Sequence, residues 1–270
     1  MPIHDDLGKR MKENYENRAK TSLIRRMPVA IRIDGKAFHT FTRGFKKPFD
    51  DILINTMQET MMYLCRNIQG CVLGYTQSDE ITLILKDYET LDTDAWFDYE
   101  VQKLCSISAS MATLAFNRVF RQNVEHHCIE WDTGFHPSSV EIEEEESKYR
   151  VALQIAMHSG AMFDARCFNI PIEEVTNLIY WRQLDATRNS IQMVAQANFS
   201  HKQLHGLNSS QLQDKLMNEK GINWNDFLIY QKRGSCCVKG PEGWVVDKNI
   251  PIFKGDGRDY VERFIRMSEN

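Results

Sequence analysis

Two acidic residues stand beside tight turns at the ends of short β-rich runs. Val29-Ala30-Ile31-Arg32-Ile33 stops at Asp34-Gly35, and Cys71-Val72-Leu73-Gly74-Tyr75 turns through Thr76-Gln77-Ser78-Asp79-Glu80 before returning as Ile81-Thr82-Leu83-Ile84-Leu85. Carboxylates are hard oxygen donors, so two of them at adjacent strand ends can bind Mg²⁺ against nucleotide phosphates. Asp34, Asp79 and the Gly35 carbonyl are the candidate ligands, and the Ser78 hydroxyl can donate to a phosphate. Glu80 alternates to the other side of the strand, where it either supports the ligands or serves a second ion. Asp-Gly and Ser-Asp are also ordinary turn residues, so spacing alone supports both readings.

The elements that must position these acids are legible from periodicity. Phe49 to Asn67 carries Ile52, Leu53, Met57, Met61 and Leu64 on one helical face, with Pro48, Asp50 and Asp51 where a helix start favours them. Asp98 to Phe120 is a second long helical pattern, its run of small residues at Cys105 to Ala112 suited to close packing, and Phe163 to Ile170 alternates as a strand. The succession strand-helix-strand-strand-helix-strand is that of a ferredoxin-like sheet, in which the third strand lies antiparallel beside the first. Asp34 and Asp79 then converge. The expected fold is α+β: a ferredoxin-like palm over residues 1–170, a βαββαβ antiparallel sheet with helices on one face. Residues 171–270 form a mainly helical part with a small hairpin, packed on it.

In that C-terminal part Pro171, Glu173 and Glu174 open a helix running through Asp185, and Asn208 to Lys220 reads as a shorter one, with Ser209 or Ser210 near its cap and Gly221 just beyond its end. The hairpin is expected at Ser235 to Lys239 and Trp244 to Val246. Residues 121–150 read as the least regular stretch, with the acidic run Glu141 to Glu146 expected as a solvated loop or hairpin edge. His126, His127, Cys128 and His136 meet no standard zinc spacing.

Composition narrows the class of function. With 270 residues, 42% of them hydrophobic and 26% charged, the chain has an ordinary globular composition and can bury a substantial core. The net charge of −4 argues against a passive nucleic-acid coat, leaving local basic patches to hold any nucleic acid. Residues 4–27 form one such patch: Lys9, Arg10, Lys12, Arg18, Lys20, Arg25 and Arg26 stand against Asp5, Asp6, Glu13 and Glu16. A solvated helix face explains this stretch equally well. The 7 cysteines contain no C-x-x-C pair and suit a reducing cytoplasm. The sequence has neither a signal-peptide core nor an 18-residue apolar span, so no membrane association is expected.

The segments Arg32 to His39, Lys47-Pro48, Gly74 to Glu80, Trp181-Arg182-Gln183 and Lys232-Arg233-Gly234 closely resemble the tRNA-histidine guanylyltransferase family, and cover most of the chain. Within it, the chain looks most like the guanylyltransferase-like proteins of bacteria and archaea that repair tRNA 5′ ends. The resemblance implies catalytic roles for Asp34, Asp79 and Glu80, with two Mg²⁺ ions and GTP, ATP or other nucleoside triphosphates as substrates. It implies nucleotide contact along Asp34, Gly35, Lys36, Ala37, Phe38 and His39, and at Lys47, Ser78 and Asp79. Arg32, Asn189, Lys232 and Arg233 are implied as contacts to triphosphate or tRNA, and the assembly as a homotetramer.

The implied reaction is 3′-to-5′ addition: the 3′-hydroxyl of an incoming nucleotide attacks an activated tRNA 5′ end. One departure bears on the substrate. The family signature HINNLYN is replaced here by Thr187-Arg188-Asn189-Ser190-Ile191-Gln192-Met193, with only Asn189 unchanged. This favours template-dependent repair of 5′-truncated tRNA over addition of a single G to tRNA-His. A palm-fold nucleotide cyclase acting on free nucleotide is the further alternative. Intact Asp34 and Asp79 speak against a non-catalytic RNA binder.

Overall fold

The nearly continuous apolar character of the two site runs implies a sheet buried on both faces, because successive strand residues point to opposite sides. The computed structural model, which describes residues 6–134 and 140–267, has that sheet. Its strands are β1 (Val29–Gly35), β2 (Cys71–Gln77), β3 (Glu80–Leu85), β4 (Phe163–Asn169), β5 (Ser235–Gly240) and β6 (Gly243–Asp247). They lie in the order β4-β1-β3-β2-β5-β6, every neighbouring pair antiparallel. The helices are α1 (Asp6–Asn14), α2 (Phe38–Phe41), α3 (Asp51–Asn67), α4 (Val101–Thr133), α5 (Val140–Ser159), α6 (Ile172–Asn198), α7 (His201–Leu204), α8 (Ser209–Lys220), α9 (Ile229–Arg233) and α10 (Asp259–Ile265).

Val29, Ile31 and Ile33 of β1 and Ile81, Leu83 and Leu85 of β3 point to one face, where Met57, Met61 and Leu64 of α3, Phe116 and Phe120 of α4 and Leu153 of α5 cover them. Ala30, Leu73, Tyr75 and Ile84 point to the other, beneath Val175 and Ile179 of α6 and Val261 and Ile265 of α10. Each such fully buried aliphatic side chain contributes about 1.5–3 kcal/mol, so neither layer is dispensable. Close approach is built into β2: a Cβ on Gly74 would lie 2.6 Å from the Cys65 sulfur and 2.9 Å from Met61, so α3 rests almost on the strand backbone.

The expected α+β class and strand succession are present. The C-terminal hairpin does more than pack on the sheet: β5 pairs with β2 and extends it. The expected irregularity of residues 121–150 is corrected. α4 continues to Thr133, and the acidic run lies in the opening turns of α5. Acidic residues suit the positive end of a helix, so Glu141 and Glu143 in the first turn are helix-compatible charge and no sign of a loop. The α8 cap is Asn208, whose side chain accepts from the Gln211 amide. His126 pairs with Glu130 and His127 with Glu146, while His136 lies outside the described residues.

Candidate active site

Antiparallel pairing of β1 with β3 sets Asp34 opposite Glu80, and the two-residue turn Ser78-Asp79 closes the β2–β3 hairpin beside them. The Gly35 amide donates to the Asp79 carbonyl at 3.1 Å, and the Thr76 hydroxyl donates to the Glu80 carbonyl at 2.9 Å. These bonds fix the turn on the end of β1. Ser78 holds φ at +50°, a left-handed conformation uncommon outside glycine, asparagine and aspartate. Backbone held this way is a feature of functional turns.

The convergence of Asp34 and Asp79 is electrostatic as well as geometric. Burial, and then the neighbouring Asp34 charge, push the Asp79 carboxyl above its ordinary value, while its own amide and the Ser78 hydroxyl, which donates at 3.0 Å, hold it down. Asp34 has a guanidinium near it, Arg166 of β4 at 3.9 Å, which is closer to Asp164 at 3.0 Å. Two adjacent carboxylates with so little cationic compensation have the charge and oxygen chemistry of a divalent-cation site. Among the described residues no group of three or more His, Cys, Asp or Glu side chains could hold a metal, so such a site must complete itself with backbone oxygen, water or ligand phosphate.

A cavity of about 480 Å³ opens beside these acids, lined by Gly35, Ala37, Phe38, His39, Ser78 and Asp79 on one side and by Lys46, Lys47, Pro48 and Asp50 on another. Its size suits a nucleotide. Lys47 and His39 are exposed and have no hydrogen-bond or ion-pair partner among the described residues. Lys36, also expected here, instead lines a neighbouring surface groove with Arg43 and Lys148. The Phe38 ring is buried against Phe41, Phe116 and Phe163, so it supports the cavity wall from beneath. That ring also explains Gly35: a Cβ there would lie 2.2 Å from it.

Glu80 and Arg32 point to the α6 face of the sheet, away from the aromatic wall. The Arg182 Nε donates to Glu80 Oε1 at 2.7 Å, Arg32 lies 3.8 Å from the other oxygen, and both guanidinium groups stack on Trp181. Burial raises the Glu80 carboxyl, and Arg182 and Arg32 oppose that rise. Glu80 is thus committed to a buried ion-pair network, continued by Arg182 donating to Asp185 at 2.8 Å. Asn189, one turn along α6, donates weakly to Asp185 at 3.4 Å and lines a small cavity shared with Asp50 and Ser78.

Lys232 is buried: its ammonium donates to the Asn225 carbonyl and sits over the Trp224 ring, and burial followed by Arg233 lowers its pKa. Its ammonium is thus already engaged within the protein. Arg233 is half-buried, and its carbonyl accepts from the Tyr75 hydroxyl. The basic patch also divides. Arg25 and Arg26 bind Asp87 at the opposite end of the sheet from Asp34. Periodicity could not single out Arg166, because its relation to Asp34 depends on β1–β4 register.

Neighbouring carboxylates at one end of a six-stranded antiparallel sheet, with Asp79 but not Asp34 lining a nucleotide-sized cavity beside an unpaired lysine, define a site for phosphate chemistry. The chain belongs to the tRNAHis guanylyltransferase (Thg1) family of nucleotidyltransferases, whose model matches residues 8–171. A bacterial tRNA(His) guanylyltransferase (Thg1)-like protein in complex with ATP superposes with a TM-score of 0.80 at 44% identity, over 97% of this chain and 100% of that one. A bacterial Thg1-like protein in complex with GTP gives 0.76 at 40% identity, with the same coverage. A probable tRNA(His) guanylyltransferase of Dictyostelium discoideum is 26% identical over 260 residues, 92% of this chain and 88% of that protein.

Proposed function

We propose that this protein adds nucleotides in the 3′-to-5′ direction to the 5′ end of tRNA, as a Mg²⁺-dependent, template-directed repair enzyme. The observation that carries the reading is the meeting of Asp34 and Asp79 beside the cavity lined by Ser78, His39 and Lys47. The ATP and GTP complexes of the similar bacterial proteins support the same cavity as the nucleotide site.

Asp34, Asp79 and the Gly35 carbonyl would hold Mg²⁺, which when bound supplies charge neutralisation and hydroxyl activation. The chain's own groups do the rest. Lys47 meets triphosphate as a point charge, and the Ser78 hydroxyl turns from Asp79 to donate to a phosphate oxygen. The turn bonds from Gly35 and Thr76 keep the acids aligned, which matters because phosphoryl transfer rests on positioning and electrostatics. Base pairing within the tRNA selects the nucleotide, so the protein needs phosphate and shape contacts more than base-edge contacts.

A homotetramer in the cytoplasm completes the reading. Free thiols at all 7 cysteine positions support a reducing compartment. Exposed Leu114 on α4 and Val151 and Ile155 on α5 supply apolar surface for association.

The test is an extension assay with Mg²⁺, all four nucleoside triphosphates, a tRNA lacking its first nucleotide and an intact tRNA-His. Templated extension of the truncated tRNA is expected, abolished by Asp34→Ala and Asp79→Ala in folded protein. Extension of tRNA-His alone by G would assign single-nucleotide addition instead. Nucleotide consumption without RNA would favour cyclase chemistry.

A further inference from the structure

We infer that Glu146 is a positioning residue for nucleotide binding, acting through the loop that carries Lys47. This rests on the assignment of the Lys47 cavity as the nucleotide site. The acidic run containing Glu146 looks solvated in sequence, yet the Glu146 side chain is only 6% exposed. One carboxylate oxygen meets His127 Nε2 of α4 at 2.6 Å, and the other meets Lys46 Nζ at 3.2 Å. A carboxylate is buried only when it is paired, and here both oxygens are occupied.

The same helix pair also grips this segment at Gly44, Phe45, Lys46 and Asp50. Gly44 abuts Ala152 so closely that a Cβ would lie 2.8 Å from that side chain. Phe45 stacks on Phe120, and the Lys46 ammonium lies 4.3 Å over the Tyr149 ring. The Tyr149 hydroxyl donates to Asp50 Oδ2 at 2.7 Å, and the Lys46 amide donates to the same oxygen at 3.1 Å. Asp50 then caps α3 through the Leu53 amide at 2.9 Å.

Both adjacent lysines line the cavity, but the Lys46 ammonium is tied to Glu146 of α5, while Lys47 has no partner among the described residues. Releasing Lys46 frees the segment that fixes the direction of Lys47.

The experiment is a GTP titration of the full chain, with thermal unfolding as a check on folding. Glu146→Gln is expected to weaken GTP binding about fivefold and Lys47→Ala about tenfold, while Glu146→Gln added to Lys47→Ala changes affinity less than about twofold, because neighbours acting through one contact are not additive. Lys46→Met, at a half-exposed side chain, breaks the same ion pair while His127 stays in contact with the Glu146 carboxylate, and is expected to match Glu146→Gln.

Full additivity with Lys47→Ala would make Glu146 merely structural and overturn the inference. So would unchanged GTP affinity in folded Lys46→Met. A wild-type protein that fails to bind GTP overturns the nucleotide-site reading and this inference with it, a result distinct from either of those.

Discussion

At the scale of single residues, the site keeps two like charges together at a cost to the free protein. A carboxyl whose pKa is raised on folding binds protons more tightly in the folded state, so its destabilising effect is complete above the folded pKa and fades as pH falls towards the unfolded value. Asp79 is such a group, through burial and Asp34. Asp79→Asn is therefore expected to raise the unfolding temperature of the ligand-free protein at pH 7, with the gain shrinking as pH drops towards the range where an ordinary aspartate takes up its proton. Thermal scans across pH check this. Added Mg²⁺ and GTP should stabilise the wild type and leave Asp79→Asn unmoved. The two aspartates were legible because each ends a β-rich run beside a turn. Glu146 was not, because a run of acids carries no signal that one of them faces inward.

At the scale of elements, α6 is fastened to the sheet by charge as much as by apolar packing. The Glu80 and Arg182 side chains are 8% and 9% exposed, and Arg32 faces the same carboxylate. Removing one member of a buried pair leaves an uncompensated charge, so Glu80→Gln is expected to cost about 3 kcal/mol in urea unfolding. The double change Glu80→Gln with Arg182→Met should recover part of that loss. The sequence pattern marked α3, α8, the first half of α6 and all six strands. It missed the helical continuation through Thr133 and the whole of α5, because helical charge pairs such as His126 with Glu130 and Glu144 with Lys148 stabilise a polar surface that an apolar repeat does not mark.

At the scale of the whole molecule, residues 1–170 and 171–270 share one sheet and one of its cores: β2 pairs with β5, and Tyr75 packs on Phe253. We expect a chain ending at residue 170 to lack a cooperative thermal transition, since Ala30, Leu73, Tyr75 and Ile84 would lose their cover from α6 and α10. A truncated chain with a sharp transition would establish residues 1–170 as an autonomous unit. The sequence located the change in topology at the end of β4, but strand alternation cannot say which edge a later hairpin will join. The strand order also sets a timetable during synthesis. β1 waits for β4 and β2 for β5, and at ~10 residues per second those partners follow on the order of ten seconds later. Until then the nascent β1–β3–β2 ribbon has two open edges, where a chaperone that shields unpaired strands would have its greatest effect on yield.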